Sequence, residues 1–195
     1  MLYGLRSLRR YRCEPLIAAN GLGFVLITDG IYRIDKMSSV AELKWESAVS
    51  ECRAHECRLM RAMEYINRLL PLDTDVIEAL SDEQHAWLDH YLYRFAKLQD
   101  AMGERLFLSG LSLLGEEYGD QPFIDALNRL EALNLIPSRE WWQQQREFRN
   151  QIAHEYPDRR AEQCAATNAI CSEGDTILRV LNGVIDTVEK KRAGA

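Results

Sequence analysis

The chain has 195 residues, enough for one domain with a buried core. Hydrophobic residues make up 47% and charged residues 28%, with only 11 glycines and 5 prolines, which excludes a collagenous, low-complexity or disordered chain. The formal net charge of −6 argues against a protein that coats duplex phosphates, while leaving room for a local basic cleft.

The charge is uneven. Residues 1–36 hold Arg6, Arg9, Arg10, Arg12, Arg33 and Lys36 against Glu14, Asp29 and Asp35, a net of +3, so residues 37–195 carry −9. Within this opening stretch, Phe24–Ile27 and Ile31–Ile34 flank Thr28-Asp29-Gly30, which reads as a short hairpin or an irregular segment. The arginines at 6–12 fit a solvated, disordered start better than an RNA or membrane contact. The segment reads as an appendage of 36 residues, or as sequence upstream of a true start at Met37. Its apolar content is broken by Asn20, Gly21 and Gly23, a poor signal peptide, and no run reaches the ~18–20 apolar residues that span a bilayer. The expected location is therefore the cytoplasm.

Five cysteines, at 13, 52, 57, 164 and 171, include no C-x-x-C pair. Cys52, His55 and Cys57 point in different directions on a helix, so neither a zinc site nor a disulfide framework is expected, and the natural state is reduced thiol.

From Ser38 to Leu70 the apolar residues Trp45, Val49, Cys52, Leu59, Met63, Ile66 and Leu70 follow helical spacing, with Glu56 the one break. Pro71 and the Asp73–Asp75 cluster end that helix. Ser81 with Gln84 three residues on forms a capping box, and Leu88, Leu92, Phe95, Met102 and Leu106 supply the stripe of a second helix. This helix is expected to run to about Glu117, bent at Gly103 or Gly110. A shorter helix spans Phe123–Leu133, closed by Asn134 and Pro137. Ser138 caps the next, which passes Trp141, Phe148 and Ile152 and must stop near Tyr156 because Pro157 follows. Asp158 caps one last helix, in which Cys164, Cys171, Leu178 and Ile185 recur every seven residues, ahead of a frayed polar tail from Lys190. No segment after residue 36 alternates with period two. The expected fold is all-α, a bundle of four to five helices over residues 37–195.

The chemistry concentrates in Arg149-Asn150-Gln151-Ile152-Ala153-His154-Glu155-Tyr156. Five residues of helix leave Arg149 and His154 about 140° apart around the axis. Asn150 and His154 share a face, so Asn150 can orient the imidazole. The C-terminal end of a helix favours protonated histidine, suiting His154 to acid–base work near neutrality. An arginine nearby can hold a phosphate and stabilise charge in an in-line displacement; no metal is needed if the nucleophile is a neighbouring ribose hydroxyl. Of the four histidines, only His154 has an arginine five positions before it.

This segment resembles the R-x4-H-x-Y signature of HepT toxins, in the HEPN superfamily of helical ribonucleases. The likeness takes in Arg149, Asn150, His154 and Tyr156, placed at the end of a late helix with one long helix after it, and covers about residues 38–188. The resemblance implies a HEPN-like bundle and a symmetric homodimer in which each protomer gives Arg149 and His154 to one composite cleft. It implies metal-independent RNA cleavage to a 2′,3′-cyclic phosphate. It also implies a nucleotidyltransferase antitoxin that uses MgATP to place AMP on Tyr156, while the chain itself carries no cofactor. The second helix often lines the cleft in such folds, which makes Arg94 and Lys97 possible RNA contacts; a solvated, salt-bridged face is the plainer reading of both. For Trp141 and Trp142 one ring in a core and one at an interface is expected ahead of base stacking. His85 and His90 are expected at the surface. Two other readings stand beside the toxin: a non-catalytic helical partner or substrate-binding subunit of a nucleotidyltransferase, and a purely structural helical dimer.

Overall fold

The structure is a computed structural model that describes residues 40–116, 122–152 and 160–194. The chain divides between Met37 and Ser38, and every described residue belongs to the second part. The hairpin expected within residues 24–34 lies outside the described residues.

Among the described residues the fold is all-α, without strands. Helix α1 spans Val40–Ile66, α2 Thr74–Ala79, α3 Asp82–Ala101, α4 Phe107–Leu113, α5 Phe123–Ala132, α6 Arg139–Ile152, α7 Arg160–Ser172 and α8 Gly174–Gly194. A π-helical turn, Met102–Leu106, joins α3 to α4. None of these helices is long and apolar enough to cross a membrane.

Helix α1 buries Trp45, Cys52, Leu59 and Ile66, seven residues apart, with Ala48 and Ala62 between them. This stripe packs along α3, whose buried face is Leu88, Tyr91, Phe95 and Leu98. Tyr91 is fully buried where Leu92, expected in the stripe, is only partly so. Glu56, the break in the α1 stripe, faces α8. It accepts from Arg53 Nη1 at 2.6 Å and from Asn182 Nδ2 at 2.9 Å, and Arg53 also donates to Asn182 Oδ1 at 2.5 Å. A three-residue polar network thus occupies the position that periodicity assigns to a hydrophobe, with every member partnered.

The local signals are realised at several helix starts. Ser81 Oγ accepts from Gln84 N at 3.3 Å while Ser81 N donates to Gln84 Oε1 at 2.8 Å, a complete capping box. Ser138 Oγ accepts from Trp141 N at 3.0 Å. Asp73, read as part of a helix stop, instead caps a further short helix, α2, accepting from Val76 N at 2.8 Å. Asn168 of α7 clamps the chain ahead of α2, bonding both the N–H and the C=O of Leu72 at 2.8 and 2.7 Å.

Three expectations are corrected. The irregularity of the long second helix is a π turn that contains Gly103, and the helix ends at Leu113 rather than near Glu117. The last helix is two: the seven-residue repeat of buried Cys164, Cys171, Leu178 and Ile185 continues across a break at Glu173. There the Glu173 carboxylate takes the Trp141 Nε1–H at 2.9 Å and the Gln145 Nε2–H at 3.4 Å, which ties the corner to α6. Gly174 follows because a Cβ at that position would stand 2.6 Å from the Tyr91 hydroxyl. Finally, the C-terminal stretch is helical through Gly194. Lys191 Nζ donates to the Leu114 carbonyl, and Arg192 pairs with Glu189 at 2.9 Å and Glu46 at 3.4 Å.

Cys52, Cys164 and Cys171 are free and buried, as reduced thiols were expected to be. Burial pushes the Cys52 and Cys171 thiols up to about 12, leaving both inert.

Candidate functional site

The C-terminal half of α6 lies beside the end of α3, and between them a cleft of about 480 Å³ opens. Its floor follows from one small residue. Gly103, in the π turn, has no side chain, so the Trp142 ring packs against the backbone; a Cβ there would meet Trp142 Cζ2 at 3.0 Å. Trp142 is fully buried and tilts against Phe107 with ring centroids 4.6 Å apart. Trp141 is partly buried and bound to Glu173, so the expectation of one core ring holds for Trp142.

Arg149 and Arg146 stand one helical turn apart on α6 and both line the cleft. Arg149 reaches across to α3: its Nε donates to Asp100 Oδ1 at 3.0 Å and its Nη2 to Asp100 Oδ2 at 3.5 Å. This two-point fork fixes the guanidinium plane, which a single contact would leave free to rotate. Arg149 Nη1 also donates to Asn150 Oδ1 at 3.3 Å. Arg146 lies over the Phe123 ring, 6.0 Å from its centroid. Lys97 sits one turn before Asp100, its ammonium 3.8 Å from Asp100 Oδ2. Glu104 and Gln99 complete the polar lining, so the cleft mixes both signs of charge.

His154 and Tyr156, the other two motif residues, lie outside the described residues. The orienting role expected of Asn150 toward His154 lies outside them as well; within them, Asn150 bonds Arg149. Arg94 lies away from the cleft, in the seam between α1 and α3. There its Nη1 is 3.5 Å from His55 Nδ1 and its Cζ is 5.0 Å from the Tyr93 centroid. Burial first, then the Arg94 charge, holds the His55 imidazole below its ordinary pKa. His90 is partly rather than fully exposed, and burial together with Arg94 and Arg58 lowers its pKa too. His85 is at the surface as expected.

Arg146, Trp142 and Asp100 gained no role in the cleft from sequence reasoning. The one available signal was the i, i+3 spacing of Arg146 and Arg149. Among the described residues no cluster of three or more His, Cys, Asp or Glu is placed to hold a metal ion.

No family model, curated protein or solved structure matches the chain.

Proposed function

We propose that the chain is a helical ribonuclease of the HEPN kind and the toxin of a toxin–antitoxin pair. One observation carries the reading: the guanidinium of Arg149, the motif arginine, is held in a defined plane at a cleft of about 480 Å³ with Arg146 one turn away. Two guanidinium groups at one cleft suit a phosphodiester, because each can donate in a fork to phosphate oxygens. His154 enters on sequence alone.

In this reading a homodimer brings two copies of Arg149 and His154 to one composite site. One imidazole takes the ribose 2′ proton, and O2′ attacks phosphorus. The P–O5′ bond breaks, and the second imidazole returns a proton to O5′, leaving a 2′,3′-cyclic phosphate. Arg149 stabilises the charge gathering on the non-bridging oxygens. A nucleotidyltransferase antitoxin, using MgATP, would transfer AMP to Tyr156, and the added phosphate would repel RNA.

The test is expression in a growing cell. Growth should stop with the wild-type chain and continue with Arg149→Ala or His154→Ala. If both variants are folded and still toxic, the assignment is wrong.

A second reading has its own support. Asp100 already pairs with Arg149, and Glu104 adds a second acid to the cleft lining. A charge-balanced cleft suits a non-catalytic subunit that docks on a nucleotidyltransferase. That reading requires a stable complex with the enzyme and no RNA cleavage by the purified chain.

A further inference from the structure

A second groove, of about 510 Å³, lies along α1 and α3, apart from the Arg149 cleft. Its α1 side is formed by Arg58 and Arg61, both exposed. Its α3 side is formed by Trp87 and His90, with Glu83 the one acid in the lining. Tyr65 stacks flat on Trp87, with centroids 4.0 Å apart and planes 5° from parallel, yet remains 45% exposed. His90 meets the Trp87 ring edge-on at 5.9 Å. These side chains recur every three or four residues on each helix, so they form a continuous face.

The face extends along α3 through Arg94 to Lys97, which stands one turn before Asp100 of the Arg149 cleft. From Trp87 to Lys97 the rise is about 15 Å. Arg94 is half-buried, with its Nε enclosed in the seam and its Nη1 3.5 Å from His55 Nδ1. Burial first, then the charges of Arg94 and Arg58, lowers the His90 pKa. In a chain of net charge −6, a basic track beside a stacked ring pair, with Tyr65 exposed and Trp87 partly buried, is the unusual feature, and it complements a polyanion with flat bases.

We propose that the α1–α3 groove binds single-stranded RNA, with Tyr65 and Trp87 as the stacking platform, Arg58 and Arg61 on the phosphates, and Arg94 and Lys97 leading the strand toward the Arg149 cleft. The choice of RNA over DNA rests on the ribonuclease reading; the groove needs no cleavage to bind.

The experiment measures fluorescence anisotropy of a labelled 12-nucleotide 2′-O-methyl RNA, which has no free 2′-hydroxyl to attack, against the full chain over a range of salt. The wild type should bind, with affinity falling as salt rises. Trp87→Ala should weaken binding about tenfold, and Trp87→Phe should restore most of the loss. The double variant Arg58→Ala/Arg61→Ala, at exposed positions that leave the fold alone, should weaken binding and flatten the log–log salt slope by about 1.4, near 0.7 per phosphate contact.

No binding at 50 mM salt overturns the proposal, as does wild-type affinity in both the double variant and Trp87→Ala. Loss of a wild-type dimer on Trp87→Ala, seen by sedimentation, also overturns it, because the groove would then join two copies. A 2′-hydroxyl RNA separates the two readings. Intact groove binding without cleavage removes the ribonuclease; cleavage by variants whose RNA affinity is unchanged removes the groove.

Discussion

Asp100 of α3 accepts both hydrogen bonds of the Arg149 fork, at 3.0 and 3.5 Å, from a helix that begins 39 residues further on. The pair is partly exposed, with side-chain exposures of 41% for Arg149 and 21% for Asp100. Screening by water therefore keeps its value to stability under about 1 kcal/mol. Under the proposed ribonuclease reading, its value is orientation. On that proposal Asp100→Asn should shift the urea midpoint little, yet lower RNA cleavage more than tenfold by freeing the guanidinium. A variant that cleaves normally would mean that Arg149 needs no such support. A variant that unfolds early would mean that the pair is structural.

Two buried indoles give a matched comparison. Trp45 Nε1 donates to Glu189 Oε1 at 2.6 Å, while Trp142 Nε1 is buried with no hydrogen-bond partner. Both are fully buried, so Trp→Phe removes similar ring volume at each site. Only Trp45→Phe also breaks a hydrogen bond to a charged group. It should cost about 1–2 kcal/mol more than Trp142→Phe in chemical denaturation. Equal losses would refute the distinction.

Two glycines of α8 should respond with opposite signs to alanine. At Gly174 the new Cβ meets the Tyr91 hydroxyl at 2.6 Å and Met63 Cε at 3.1 Å. Tyr91 is fully buried and cannot swing aside, so Gly174→Ala should destabilise by about 1–3 kcal/mol. At Gly183 nothing stands within 4 Å. Gly183→Ala should stabilise by about 0.5–1 kcal/mol through helix propensity alone. Thermal melts of the two single variants decide the matter.

The seam between α1 and α3 should make stability depend on pH. His55 and His90 have folded pKa values below the ordinary 6.5, from burial and from the nearby arginines. The unfolded chain then binds more protons as pH falls through 6.5. The contribution of these histidines is complete above 6.5 and is lost progressively below it. Unfolding free energy should drop between pH 7 and pH 5, and His55→Asn should flatten part of that slope. Imidazole signals followed by NMR should titrate below 6.5 for both residues; a midpoint at or above 6.5 contradicts the seam as described.

The sequence by itself determined the all-helical class, the buried stripe of α1 and the starts of α3 and α6. The spacing of Trp45, Cys52, Leu59 and Ile66, the Ser81–Gln84 box and the Ser138 cap act within a few residues, so they are legible without the fold. The motif arginine, Arg149, was legible in the same way. Tertiary structure decided what crosses between helices. Asp100 meets Arg149 only because α3 and α6 pack together, and Glu56 is tolerated in an apolar stripe only because Arg53 and Asn182 surround it. Glu173 interrupts the last helical pattern because α6 binds its carboxylate and Gly174 must clear Tyr91, although periodicity runs straight through the break. Arg58, Arg61, Tyr65 and Trp87 read one by one as ordinary surface residues. They become a basic, aromatic groove because α1 and α3 pack side by side, a relation set by helix crossing and not by any local spacing.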